Sequence, residues 1–321
     1  MLMRLARGDG LAVDRRFRVR RVSGPAVSVA RDRDGRRQDG GEAVERKSYD
    51  GRLSGPISRM ESMSKRSKFR MLYRQLRSRV QAVVFAAQAA VGVRGPSRTC
   101  QIPELPTHLK NGLGNIERGS FVEVGAYDGE RFSNTSWLAD RGWNGVYVEP
   151  SPEYATLCRA RHRLNRVQVV NCAAGVEEGE AVLMQMGSLS TISAPTFLAY
   201  QEQDWSKRQL EKRLEEHTAK IRPLDAILES TKVEPGFDLL VVDVEGFEEQ
   251  VFQGFDLPRW SPRMMIVELC DVHSDLNTKA ELSESAARVR KQILSCGYEE
   301  LYRDEINTIF VRSKKKCALA A

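Results

Sequence analysis

Phe121-Val-Glu-Val-Gly-Ala-Tyr-Asp-Gly-Glu130 is an apolar strand that runs directly into a glycine turn. Gly129 follows Gly125 by four residues, and helical spacing begins near Arg131 or Phe132. Glycine at a strand-to-helix turn permits positive φ and close approach by a ligand. In doubly wound sheets the mouth of this turn is where a nucleotide-like ligand sits. The stretch therefore predicts the opening β-α unit of an α/β fold, with its ligand turn attached.

The turn also narrows the ligand. A dinucleotide site needs Gly-x-Gly-x-x-Gly, so that a pyrophosphate can lie on the helix N-terminus. That spacing is absent, which disfavours an NAD enzyme. Glu123 and Asp128 instead bring carboxylates to the turn, a poor setting for pyrophosphate but a good one for an ammonium or sulfonium centre. This points to S-adenosylmethionine. A second strand, 145–149, ends in Glu149, 24 residues after Gly125. An acid at that distance can accept both hydroxyls of a ribose, although it can also cap the helix that Pro150-Ser-Pro152 starts. Asn171-Cys172-Ala173-Ala174 ends a third strand, and its small residues can border an adenine. Cys172 reads as apolar wall rather than nucleophile, since no nearby His activates it.

Working outward, short apolar runs alternate with helical ones. Strands are predicted at 120–124, 145–149, 167–171, 237–242 and 264–269, with a late pair near 298–302 and 308–311. Helices are predicted at 132–141, 152–164, 248–254 and 283–296. Near-continuous apolar strands separated by helices imply a parallel sheet covered on both faces. The expected fold is thus α/β: a doubly wound, mostly parallel seven-stranded sheet with an antiparallel C-terminal edge hairpin. Between the third and fourth strands lies an interruption, 180–235, whose segment 204–220 reads as a charged helix. It is either a solvated surface helix or part of a lid.

Two far strands end in acids. Val242-Asp243-Val-Glu245-Gly246 and Val267-Glu268-Leu-Cys-Asp271-Val-His273 place carboxylates at the mouth shared with Gly125. Asp243, Glu245 or Glu268 can act as general base on a hydroxyl and orient it for in-line attack on a sulfonium. Alternatively Asp243, Glu268 and Asp271 can hold Mg²⁺ or another hard cation. His273 is a further candidate base.

The chain has 321 residues and a formal charge of +7, which is unevenly spread. The first 80 residues hold 22 Lys or Arg against 9 Asp or Glu, so the remainder is net negative. That weakens nucleic-acid binding by the folded part. Six cysteines, with no Cys-x-x-Cys pair, read as reduced thiols in a cytoplasmic protein. The expected organisation is a disordered basic arm at 1–60, a helical lead-in and connector at 61–118, the catalytic domain at 119–313 and a tail at 314–321. The apolar run 80–93 is too short to span a bilayer. It follows a basic stretch, so weak association of 65–93 with a membrane surface stands beside simple packing on the domain.

These residues resemble the FkbM family of methyltransferases over about 119–312. The markers are Val122-Glu-Val-Gly-Ala-Tyr-Asp-Gly129, Ser133-Asn-Thr135, Gly142-Trp-Asn-Gly-Val-Tyr-Val-Glu-Pro150 and Ser190-Thr-Ile192. They continue with Leu224-Asp225, Val242-Asp-Val-Glu-Gly-Phe-Glu248 and Asn307-Thr-Ile-Phe310. Many members look like Gly-Ala-Asn-x-Gly where this chain has Gly-Ala-Tyr-Asp-Gly. The resemblance implies a class I S-adenosylmethionine fold that methylates a hydroxyl of a small molecule or glycan. It places Gly125 and Asp128 near the methionine part, Glu149 on the ribose, and Asp243 and Glu245 toward the acceptor. Glu123, Tyr127, Gly129, Cys172 and Ala173 complete the expected donor site. An RNA methyltransferase using the basic arm and a noncatalytic binding protein are the rival readings.

Overall fold

The computed structural model describes Arg20–Arg21, 65–102, 104–212, 214–269 and 280–313. The tail at 314–321, His273 and Asp271 lie outside the described residues, as does the basic arm except for Arg20–Arg21. Two units are present, one of Met1–Arg21 with Gln75–Ala321 and the other Val22–Arg74. Of the second, only the opening turns of a helix are described.

The strands in chain order are β1 (Arg20–Arg21), β2 (Ser120–Val124), β3 (Asn144–Val148), β4 (Val167–Val170), β5 (Ala173–Ala174), β6 (Gly179–Gln185), β7 (Glu215–Arg222), β8 (Leu239–Val242), β9 (Met264–Glu268), β10 (Tyr298–Arg303) and β11 (Asn307–Arg312). The helices are α1 (Lys65–Ala90), α2 (Leu105–Leu113), α3 (Ser136–Asp140), α4 (Pro152–Arg161), α5 (Ala194–Glu202), α6 (Asp204–Lys212), α7 (Leu224–Thr231), α8 (Glu248–Gln253), α9 (Leu257–Trp260) and α10 (Ala280–Ser295).

The expected seven-stranded sheet is present, in the order β10-β11-β9-β8-β2-β3-β4. The strands β4, β3, β2, β8 and β9 run parallel, and β11 is antiparallel to both β9 and β10. Strand β2, the one that opened the sequence argument, is central. The chain order reverses on its two sides, so a crevice opens at its carboxyl end.

Alternation on β2 and β8 feeds two cores. Val122, Val124, Leu240 and Val242 pack with Leu224, Ile227, Val251, Phe252, Val289 and Ile293 from α7, α8 and α10. Phe121, Leu239 and Val241 face the other way, against Leu105, Leu109 and Leu113 of α2 and Trp137 and Leu138 of α3. Both faces are therefore covered at the centre of the sheet, which is why β8 and most of β2 and β9 are apolar.

Three expectations change. Part of the connector expected within 61–118 is helix α2, because Pro106 sits in its first turn, where the missing N–H costs nothing. Its leucines complete a core face, so the core draws on residues before 119. The helix expected over 204–220 stops at Lys212, and β7 follows, with Ala219 and Ile221 buried in alternation. Strand β7 pairs antiparallel with β6 from Glu215 to Ile221, in a second sheet ordered β1-β6-β7-β5. Within it Arg20–Arg21 pairs with Gly179–Glu180. Among the described residues, no helix is long and apolar enough to cross a membrane.

Candidate active site

Gly125 follows β2 with φ 94°, and its N–H donates to the carbonyl of Val148 at 2.9 Å. A Cβ there would lie 1.6 Å from the carbonyl oxygen of Asp243. The turn after β2 and the turn after β8 are thus in backbone contact, and no side chain fits between them. Around this contact lies a cavity whose lining includes Glu123, Gly125, Tyr127, Glu149, Cys172, Ala173, Asp243 and Glu245.

Three of the six described non-glycine residues at positive φ line the same cavity: Tyr127 (48°), Phe132 (64°) and Glu245 (54°). Each is held against a cost of order 1–3 kcal/mol, and such strain collects at functional sites. The Tyr127 conformation turns its N–H onto Glu149 Oε2 at 2.8 Å, while Ser151 N–H donates to Oε1 at 2.7 Å. Each oxygen keeps a second lone pair, which suits a ligand diol. Burial pushes the Glu149 carboxyl up to about 8, against the pull of those two N–H donors.

Glu123 sits behind the turn. Its Oε2 accepts from Ser133 Oγ at 2.9 Å and from Thr135 Oγ1. That explains the Ser133-Asn-Thr135 motif: its two hydroxyls carry a buried acid on the cavity wall. Burial raises Glu123 to about 7. Cys172 is raised to about 11 by burial, so it is an inert thiol in the wall.

Asp128 and Gly129 are not in the lining. Asp128 faces its own turn, accepting from the N–H groups of Glu130 and Arg131 at 3.1 and 2.9 Å and pairing with the Arg131 guanidinium. Gly129, at φ 76°, lets α4 approach, since a Cβ would meet Cys158 Sγ at 2.8 Å.

The acidic end lies after β8 and β9. One carboxylate oxygen from each of Asp243, Glu245 and Glu268 falls within 4.8 Å of the others, and each residue is half-buried. Glu268 borders a small adjoining cavity shared with Tyr200, Glu245 and Glu248. Tyr200, on α5, donates its hydroxyl to Glu245 Oε2. Thr191 Oγ1 donates to the Glu245 carbonyl at 2.7 Å, and Glu248 Oε1 accepts from the Val244 and Gly246 N–H groups. Burial first, and Asp243 next, push Glu245 and Glu268 well above the carboxylate range. Glu268 is hydrogen-bonded to Asp243.

Several lining residues had no sequence signal. Gln101 reaches the cavity from the lead-in, where Thr99 Oγ1 accepts from Phe132 N–H at 2.9 Å. Tyr154 stacks edgewise on Tyr127, with ring centroids 4.5 Å apart. The turn Gly187–Leu189 and Phe247 close other sides. Tyr200, in the insertion between the third and fourth strands, had none either.

A cradle closed to any side chain, a buried acid held by two backbone N–H groups and an acidic far end in one cavity fit an adenosyl sulfonium donor. With the sheet order above, they define a class I S-adenosylmethionine-dependent methyltransferase. The chain belongs to the FkbM methyltransferase family, because the family model described as Methyltransferase FkbM domain matches residues 123–300. It is 28% identical over 196 residues to a protein of Beauveria bassiana named Methyltransferase 1, covering 53% of this chain and 78% of that one. Among solved structures it is similar to an O-methyltransferase from Bacillus cereus in complex with SAH, at 14% identity and TM-score 0.38, covering 73% and 90% of the two chains. A SAH-bound methyltransferase from Podospora anserina matches at 11% identity and TM-score 0.34, over 66% and 89%.

Proposed function

We propose that the chain transfers a methyl group from S-adenosylmethionine to a hydroxyl of a small molecule or glycan, with Asp243 as the base. The observation that carries this reading is the contact of Gly125 with the Asp243 backbone, which sets the donor turn and an acidic strand end against one cavity. The donor, when bound, supplies an electrophilic methyl on a sulfonium. Glu149 accepts the ribose hydroxyls through its free lone pairs, and Cys172 and Ala173 wall the adenine. Asp243 orients the acceptor hydroxyl and takes its proton as the new bond to carbon forms. Protonated Glu268 holds Asp243 in place, and Tyr200 does the same for Glu245.

A metal-assisted version has its own support in the three converging carboxylates. Asp243, Glu245 and Glu268 would then hold a divalent cation such as Mg²⁺, which lowers the pKa of the hydroxyl. Binding would expel the protons that burial keeps on Glu245 and Glu268.

A product assay with labelled donor and a panel of hydroxylated acceptors tests the reading. Asp243→Asn should lower kcat by roughly 10²–10⁴, the range for a general base, with donor Kd little changed. An equally active variant would remove Asp243 from the chemistry. Loss of turnover in EDTA, restored by Mg²⁺, would select the metal version.

A further inference from the structure

Helix α1 faces outward with the wrong side for a soluble protein. Ser78 and Ala82 are buried, and the Phe85 ring lies beneath the guanidiniums of Arg94 and Arg161, at 4.1 and 4.6 Å. These three positions recur at four and three residues and mark the docked face. Leu76, Val80 and Val83 fall about half a turn away, at the period of 3.6 residues. They are 59%, 55% and 55% exposed, and Val84 beside them is 45% exposed. Beyond the helix, Val91 and Val93 are exposed as well.

Charge flanks this stripe. The 26 residues of α1 include seven Lys or Arg and no acid. By the same period, Arg79 falls along one flank and Arg77 along the other. On the Arg79 side a depression is lined by Arg79, Arg159 and Arg163 with Gln75 and Thr156. Arg159 also donates to the Val169 carbonyl at 3.0 Å.

We propose that α1 lies on an anionic bilayer surface, with Leu76, Val80 and Val83 dipping among the acyl chains and the flanking guanidiniums on lipid phosphates. An apolar stripe between basic flanks is the pattern of a helix lying in the membrane interface, where long basic side chains reach up to the headgroups. Charge complementarity selects this occupant. A second copy on the same face would set seven cations against seven. The helix is not long and apolar enough to cross the membrane. Seated this way, the enzyme would meet acceptors held at or delivered to the membrane surface.

Co-sedimentation of the full chain with phosphatidylcholine vesicles, and with phosphatidylcholine–phosphatidylserine vesicles, tests this. The wild type should pellet with the acidic vesicles and stay largely soluble with the neutral ones. Binding should fall in about 1 M salt, where the screening length is about 3 Å. Val80→Glu with Val83→Glu should weaken binding by about tenfold or more, because each places a charge where a methyl group entered lipid. Both sites are exposed, so Tm and donor binding should match the wild type. No pelleting with acidic vesicles would overturn the proposal. So would equal pelleting of the double variant, which would assign binding to the basic arm alone. A wild-type dimer in sedimentation velocity that the double variant dissolves would overturn it in favour of a second copy.

Discussion

At Gly125 and Glu149, single atoms decide the site. Any Cβ at Gly125 would collide with the Asp243 carbonyl, which is fixed backbone at the end of a central strand. Gly125→Ala should therefore splay β2 from β8 and abolish donor binding, measured by calorimetry, even where the variant still folds. The sequence singled out both positions as a glycine after an apolar strand and an acid 24 residues later, and the structure brings both to one cavity. Asp128 was legible as an acid but not as a cap, since only the turn geometry shows its oxygens already occupied by Glu130 and Arg131. Tyr200 left no trace at all. Its partner Glu245 lies 45 residues away, and no local period links an insertion helix to a strand end.

At the scale of elements, the central sheet was readable because its middle strands, β2, β3, β8 and β9, are largely buried and so nearly continuously apolar. The second sheet was not, because β7, Glu215-Glu-His-Thr-Ala-Lys-Ile-Arg222, is mostly charged and buries only alternate residues near its end. Its pairing with β6 overrode the helical propensity of its Glu and Lys residues. The lead-in likewise joins the domain through a buried ion network that spacing could not reveal. Arg94 and Arg161 both pair with Glu130 and Asp140, at 2.6–3.0 Å, and the Arg161 side chain is fully buried. Arg161→Met would leave Asp140 and Glu130 undercompensated, at a cost of about 3–5 kcal/mol. Chemical denaturation should show that loss; a change within about 0.5 kcal/mol would mean the network is replaceable by packing.

For the whole molecule, the buried acids set the pH response. Glu149 is raised to about 8, and Glu123 and Glu248 to about 7, all chiefly by burial. A carboxyl raised in the folded state binds its proton more tightly there than in the unfolded chain. Its stabilisation is full below the unfolded pKa and is lost as pH rises through the folded one. His162 works the other way. Burial lowers it to about 3, so its contribution grows with pH up to its unfolded value near 6.5. From pH 6.5 to 8 only the acids titrate among these groups, and the Tm of the ligand-free protein should fall. A Tm that stays level or rises across that window would show that these carboxyls are ionised in the folded state. A cation held at Asp243, Glu245 and Glu268 would offset part of the fall, since such a site binds its metal more tightly as pH rises.

The most direct test of a donor site built on Gly125 and Glu149 is calorimetric titration of the full chain with S-adenosylmethionine and with NAD, repeated on Glu149→Ala. The wild type should bind S-adenosylmethionine and not NAD, and the substitution should weaken binding by about 1–3 kcal/mol, the scale for unmaking a buried hydrogen-bonded contact. A folded wild type that binds no S-adenosylmethionine, or a Glu149→Ala protein that binds it as tightly, would contradict the account.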